Sequence, residues 1–186
     1  MKQGLIHLYY GDGKGKTTAA VGLTVRAAGR EMRVLFAQFL KHGKSGELRI
    51  LEQLKQVSIL RCEGVRKFTF QMDASELQQT RDVQNRMLQE IIYRVGQGRG
   101  YDLLILDEAI NAVSTGTLDE ALLRAFVEQK PEPLELVLTG RNPPGWLIGR
   151  ADFLSEICSR KHPYEQGIPA RTGIELWGDT YENRTE

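Results

Sequence analysis

The most restrictive feature of this sequence is Gly11-Asp12-Gly13-Lys14-Gly15-Lys16-Thr17-Thr18, which follows a short apolar and aromatic run over residues 5–10 and precedes a helical pattern. Glycines let the backbone fold tightly there and aim successive N–H groups at one point, a nest for phosphate oxygens. A helix starting at Lys16 adds the positive end of its dipole to the same point. Lys16 can then reach the outer phosphates of a nucleotide, and the Thr17 hydroxyl can ligate Mg²⁺. The strict phosphate-loop pattern asks for glycine where Tyr10 stands, so the match fails by one residue, while Gly15-Lys16-Thr17-Thr18 keeps its strand–loop–helix context. A plain glycine turn with surface lysines would not combine this residue type, position and context.

The rest of the chain supplies the elements such a loop needs. Residues 17–30 read as a helix, with Ala20, Val21, Leu23, Val25 and Ala27 at helical spacing and Gly29 near its end. Residues 34–40 form an almost continuous apolar run, typical of a strand covered on both faces. Strand, helix and strand in this order make a βαβ unit, which builds parallel sheets. Further strands are expected over 57–62, 101–106, 134–139 and 151–156. A loop or the beginning of a short helix is expected over 41–50, and a loop carrying Phe68, Phe70 and Met72 over 64–75. Ser75 is expected to cap a long helix reaching about residue 95, and a helix over 119–129 stops at Pro131 and Pro133. The expectation is one α/β domain over residues 1–178, with a mostly parallel sheet and helices on both faces, of the P-loop NTPase-like (RecA-like) kind. A disordered polar tail over 179–186 follows.

Composition narrows the function. Lys and Arg total 25 against 24 Asp and Glu, a net charge of +1, which argues against a nucleic-acid partner held by bulk charge. Two cysteines, Cys62 and Cys158, cannot build a disulfide scaffold, and the three histidines, His7, His42 and His162, are scattered rather than at zinc-ligand spacing. Apolar stretches fall short of the roughly 20 residues that span a bilayer, and the first residues lack a cleavage site. A cytoplasmic, soluble enzyme or switch without a membrane partner is expected.

Asp107-Glu108 follow four consecutive apolar residues and so lie at the carboxyl edge of a buried strand, where open α/β sheets place ligands. Beside a triphosphate and the Thr17 hydroxyl, these carboxylates would complete a magnesium shell. The alternative is a helix cap with a solvated acid. Hydrolysis, phosphoryl transfer and transfer of the nucleoside part all remain open at this point.

Several segments read together resemble one family, the P-loop type ATP:corrinoid adenosyltransferases. These are the phosphate loop through Ala19-Ala20, Arg26-Ala27, Gln38-Phe39 with Lys41, and Phe68-Thr69-Phe70. Asp107-Glu108, Leu138-Thr139-Gly140-Arg141, Ala151-Asp152, Ser155-Glu156 and the stretch from Lys161 to Glu175 follow in order. The resemblance implies transfer of the 5′-deoxyadenosyl group of ATP to the cobalt(I) of cob(I)yrinic acid a,c-diamide, cobinamide or cobalamin, with release of triphosphate. It implies ATP as co-substrate with Mg²⁺ (or Mn²⁺), held by Gly11, Asp12, Gly13, Lys14, Gly15, Lys16, Thr17 and Thr18. Lys16, Thr17 and a metal on Thr17, Glu108 and Asp107 would stabilise the leaving triphosphate. Arg26 would approach the nucleoside, or else be an ordinary helix arginine. Asp12 stands where the family usually has Asn. Phe68 and Phe70, the second in place of the family's Trp, would crowd the lower face of the corrin ring and ease reduction of cobalt. A reduced flavoprotein donor and a homodimer also follow from the resemblance. His162 and Cys158 read as structural.

A partition-type ATPase switch is the main alternative, but its loop carries an extra lysine where Tyr9 and Tyr10 stand here. A small-molecule kinase would want clustered arginines, whereas Arg141, Arg150 and Arg160 are spread. A corrinoid carrier would need no phosphate loop.

Overall fold

Short runs of Leu, Ile and Val separated by helices pair side by side into one parallel sheet. In the computed structural model, which describes residues 3–41, 45–62, 67, 69–97 and 100–175, the strands are β1 (Ile6–Tyr10), β2 (Val34–Gln38), β3 (Val57–Arg61), β4 (Leu103–Asp107), β5 (Glu135–Gly140) and β6 (Phe153–Glu156). Their order is β3-β2-β4-β5-β1-β6, and every pair is parallel. β2 and β4 are buried along their whole length, which is why they read as unbroken apolar runs. β6 forms one edge and is exposed at every position.

Alternate side chains of the strands point to opposite faces and meet different helices. On one face Val34, Phe36, Leu103, Ile105 and Val137 pack with α1 (Lys16–Ala28) and α2 (Gly46–Leu51). On the other, Leu35, Ala37, Leu104, Leu106, Leu136 and Leu138 meet α3 (Ala74–Gly96), α4 (Ala109–Ser114) and α5 (Glu120–Gln129), with Leu147 of α6 (Gly145–Arg150) joining them. The expected sheet with helices on both faces is the one found. Full burial of a side chain such as Phe36 contributes about 1.5–3 kcal/mol, so this double cover supplies much of the stability.

Several boundaries differ from expectation, each for a local reason. The cap of α3 is Asp73, not Ser75: Asp73 accepts from the Glu76 amide, and the Glu76 carboxylate accepts from the Asp73 amide, so the two make a capping box. α1 ends at Ala28 rather than residue 30, and β2 ends at Gln38 rather than 40, because Leu40 adopts φ 56° and turns the chain. β4 begins at Leu103 and includes Asp107, and β5 includes Gly140. No helix among the described residues is long and apolar enough to cross a membrane. The expected tail over 179–186, His42 and Phe68 lie outside the described residues.

The order of the strands positions the site. Because all are parallel, β1, β2, β4 and β5 deliver their carboxyl ends to one edge of the sheet. The chain leaves β1 toward β2 on one side, while β6 pairs with β1 on the other, so the phosphate loop sits where the connections diverge.

Candidate active site

Gly11-Asp12-Gly13-Lys14-Gly15 leads from β1 into α1. Gly15 takes φ 122°, a conformation that strains any residue with a Cβ, and occupies the N-cap of α1 with no side-chain cap. The first turn of α1 holds no acidic residue, so its free amides and positive dipole end are left for an anion. Gly11 and Gly13 serve a second purpose that the loop pattern alone does not reveal. A Cβ on Gly11 or Gly13 would lie 2.5 or 2.6 Å from the Ile157 carbonyl oxygen. The chain after β6 runs against the loop: the Gly13 amide donates to Ile157 O at 2.7 Å, and the Ile157 amide donates to Tyr10 O at 2.7 Å. The Asp12 carboxylate accepts from the Ser159 amide at 3.0 Å, and that bond holds its pKa below the usual carboxylate range.

Lys16 is buried, and its ammonium donates to Gly13 O at 2.7 Å across the loop. Burial, aided by the charge of Arg141, lowers its pKa from the ordinary lysine value. Thr17 joins the phosphate loop to β4, because its hydroxyl donates to Asp107 Oδ1 at 2.9 Å. Asp107 is wholly buried and also accepts from Thr139 Oγ1 at 2.8 Å, Gln38 Nε2 at 3.0 Å and Lys41 Nζ at 2.9 Å. These donors come from the ends of β2 and β5, the two neighbours of β4, and from the loop after β2. Asp107 therefore locks the edge of the sheet to α1.

Glu108 occupies the N-cap position of α4 at φ 64° but makes no side-chain cap, so the simple capping alternative does not describe it. Its amide donates to Thr139 Oγ1 at 2.9 Å, and its carboxylate accepts from Asn111 Nδ2. Burial and then the Asp107 charge raise its pKa above the usual glutamate value. Asn111 Oδ1 also accepts from the Arg141 amide, so one asparagine braces both Glu108 and Arg141. A Cβ on Gly140 would lie 2.6 Å from Ile110 Cβ and 2.8 Å from the Asn111 amide, which explains glycine before Arg141.

These groups open on one cavity of ≈ 670 Å³, within the size range of small-molecule sites. Asp12 through Thr18, Lys41, Glu108 and Arg141 line it, and a strap including His162, Tyr164, Ile168 and Arg171 forms another wall. A neighbouring cavity of ≈ 430 Å³ lies across the loop, against Gly11, Asp12 and the exposed Cys158. The Thr17 hydroxyl and Glu108 carboxylate are hard oxygen donors that fit Mg²⁺ or Mn²⁺. Asp107, filled by its hydrogen bonds, suits an outer role that orients Thr17. Among the described residues no group of three or more His, Cys, Asp and Glu gathers into a metal cage.

The structure thus brings Asp12, Gly13, Lys14, Gly15, Lys16, Thr17, Thr18 and Glu108 to one cavity with Asp107 behind them, and Gly11 to the adjoining one. It does not bring Arg26 there. That residue is exposed in the last turn of α1, about 15 Å along the helix axis from Lys16. Phe70 stands in a short 3₁₀ turn before α3, 82% exposed and outside the cavity lining. His162 lines the cavity, and its Nδ1 accepts from the Tyr164 amide. Residues that sequence reasoning did not place in the site are Gln38, Lys41, Asn111, Thr139 and Arg141. A signal for Gln38 and Thr139 was present, since each is a polar residue at or near the carboxyl end of a buried run, as Asp107 is.

Comparison with known proteins gives the family. The sequence model of the family described as ATP:corrinoid adenosyltransferase BtuR/CobO/CobP matches residues 2–176. The corrinoid adenosyltransferase of Escherichia coli K12 is 30% identical over 183 residues, covering 94% of this chain and 86% of that protein. The corrinoid adenosyltransferase of Pseudomonas aeruginosa is 28% identical over 180 residues, covering 94% and 85%. Among solved structures, EssC (ATPases 2 and 3) of Geobacillus thermodenitrificans superposes with a TM-score of 0.51 at 18% identity, over 93% of this chain and 35% of that one, a likeness of fold. Because the family model matches residues 2–176, this chain belongs to the ATP:corrinoid adenosyltransferase BtuR/CobO/CobP family.

Proposed function

We propose that the chain transfers the 5′-deoxyadenosyl group of ATP to the cobalt(I) of a corrinoid, with the triphosphate end of ATP in the phosphate-loop cavity. In that reaction the cobalt lone pair attacks the ribose 5′ carbon. A cobalt–carbon bond forms, the carbon–oxygen bond breaks, and triphosphate leaves with the bonding electrons. The observation that carries the reading is the gathering of cations where that leaving group would sit: Lys14, Lys16, Lys41 and Arg141 line one cavity with the uncapped start of α1. Fixed donors and charges in a partly buried site favour negative charge that grows in the transition state.

Lys16 would exchange the Gly13 carbonyl for a phosphate oxygen, and Thr17 and Glu108 would hold Mg²⁺ or Mn²⁺, with Asp107 orienting Thr17. The bound metal supplies further neutralisation of phosphate charge. The exposed Phe70, with Phe68 two residues before it in sequence, supports a role for that loop as an apolar face for the corrin ring. A reduced flavoprotein as electron donor, a homodimer and a cytoplasmic setting complete the proposal. A partition-type ATPase has no support from the family match.

The test is anaerobic incubation of the protein with MgATP and chemically reduced cob(I)alamin. The expected result is a photolabile adenosylcobalt product together with triphosphate, and a fall of about a hundredfold or more in rate for Lys16→Ala. Steady release of inorganic phosphate with no photolabile product would overturn the reading.

A further inference from the structure

The Thr17 hydroxyl proposed above as a metal ligand already holds a cation. Lys41 Nζ donates to Thr17 Oγ1 at 2.8 Å and to Asp107 Oδ2 at 2.9 Å, and its side chain is 12% exposed. Lys41 reaches this place because Leu40 turns the chain at φ 56° and the backbone on either side is pinned. The Phe39 amide donates to Asp107 O at 2.9 Å, and Arg61 donates to Lys41 O at 3.2 Å. Thr17 gives its own hydroxyl proton to Asp107 Oδ1, so only lone pairs remain for a second cation, and one of them faces the ammonium.

We infer that Lys41 is a tethered cation that keeps the metal seat ordered while it is empty, and that ammonium and metal exclude each other at Thr17 Oγ1. A divalent ion arriving at that oxygen meets a positive charge within hydrogen-bond distance, and the repulsion is strong where water is scarce. The ammonium then keeps Asp107 Oδ2 but loses Thr17 Oγ1, and the phosphates of ATP, which would lie in the cavity it lines, can replace that acceptor. Metal affinity is thereby coupled to nucleotide: low in the free protein, high once a phosphate offers Lys41 a new partner. Lys41 acts here as a positioning residue, through Thr17 and Asp107. The inference rests on the reading of Thr17 as a metal ligand.

The experiment measures two affinities without turnover. Mn²⁺ binding to nucleotide-free protein is followed by the electron paramagnetic resonance of the free ion, and ATP binding in excess chelator by calorimetry. Lys41→Met is expected to bind Mn²⁺ about tenfold or more tightly than the parent. The same variant is expected to bind metal-free ATP about tenfold more weakly, because a charge-assisted phosphate contact is gone. Lys41→Arg, which keeps the charge, should recover most of the metal-free ATP affinity. Opposite signs in one variant are the signature, since a purely structural lysine would lower both affinities together. Lys41→Gln serves with the same expected signs where Lys41→Met fails to fold. Unchanged or weaker Mn²⁺ binding by the charge-free variants overturns the inference, even with the metal seat intact. If Mn²⁺ binding by the parent with ATP is unaffected by Thr17→Ala, the seat itself is misplaced, and Lys41's part in it falls with it.

Discussion

Replacing Thr139 with valine keeps the shape of a fully buried side chain and removes one hydroxyl, the atom that ties the two acidic residues together. Thr139 Oγ1 donates to Asp107 Oδ1 at 2.8 Å and accepts from the Glu108 amide at 2.9 Å. A hydrogen bond to a charged group contributes about 1.5–3 kcal/mol, and an amide left without its acceptor costs about 1–3 kcal/mol more. Asp107 Oδ1 keeps the Thr17 hydroxyl, which places the first figure at its lower end. The added methyl returns about 0.8 kcal/mol of burial, so the net loss is about 2–4 kcal/mol. For a chain of 186 residues this lowers Tm by roughly 4–16 °C. Thr139→Ser keeps the hydroxyl and loses only the methyl, about 1 kcal/mol. Calorimetric unfolding of both variants without nucleotide separates the two effects, and MgATP binding by the valine variant should weaken as Glu108 loses its anchor. A valine variant as stable as the serine variant would refute the claim that this hydroxyl holds the turn at Glu108.

Two further outcomes follow from the same geometry. Gly13→Ala is expected to cost about 1–3 kcal/mol in stability and to weaken ATP binding, because a Cβ there would lie 2.6 and 2.7 Å from the backbone of Ile157 and Cys158, atoms that can yield only by shifting the chain. Thermal unfolding checks it, and a variant as stable as the parent would mean that the chain after β6 is loosely held against the loop. The raised pKa of Glu108, from burial and then Asp107, means that its stabilising contribution is present below the ordinary value of 4.5 and is lost as pH rises through the higher native value. Urea unfolding of metal-free protein from pH 4.5 upward should therefore show a decline with pH that Glu108→Gln flattens, whereas parallel curves for the two proteins would contradict the assignment.

The strands and the phosphate loop were legible because each leaves a one-dimensional mark. Buried strands read as apolar runs, and the glycine-rich loop with its lysine stands between a strand and a helix. α4 and α6 were not legible, since six residues give too few turns for a period to emerge. β6, exposed at every position, carries no burial pattern, yet the strand expected over 151–156 is found over Phe153–Glu156. The cap of α3 was ambiguous in sequence: Asp73 with Glu76 and Ser75 with Gln78 both fit a capping box, and the structure uses the first, starting the helix at Ala74. Arg26 shows the reverse limit, because helical phase says which side a residue occupies and the distance from the loop decides whether it reaches the site. Lys41, Asn111 and Arg141 acquire their places only through pairing between strands far apart in sequence.

A common device explains how those distant residues converge. Each of the four strands that feed the site gives way to a residue of positive φ: Gly11 at 113° after β1, Leu40 at 56° after β2, Glu108 at 64° after β4 and Gly140 at 150° closing β5. Glycine adopts such angles freely, whereas leucine and glutamate do so at about 1–2 kcal/mol each, and the strain persists only where neighbours over-determine it. They do so here. The Lys41 amide donates to Phe39 O across the turn at Leu40, and Thr139 with Asn111 holds Glu108 from both ends. The residue immediately after three of these turns is charged and lines the cavity: Asp12 after Gly11, Lys41 after Leu40 and Arg141 after Gly140, while at the fourth Glu108 is itself the lining residue. A strand that continued straight would carry these side chains past the sheet edge into solvent. The reversal folds them back over the ends of the strands, so a sheet with an apolar interior ends in a charged pocket within one to three residues of its strand ends.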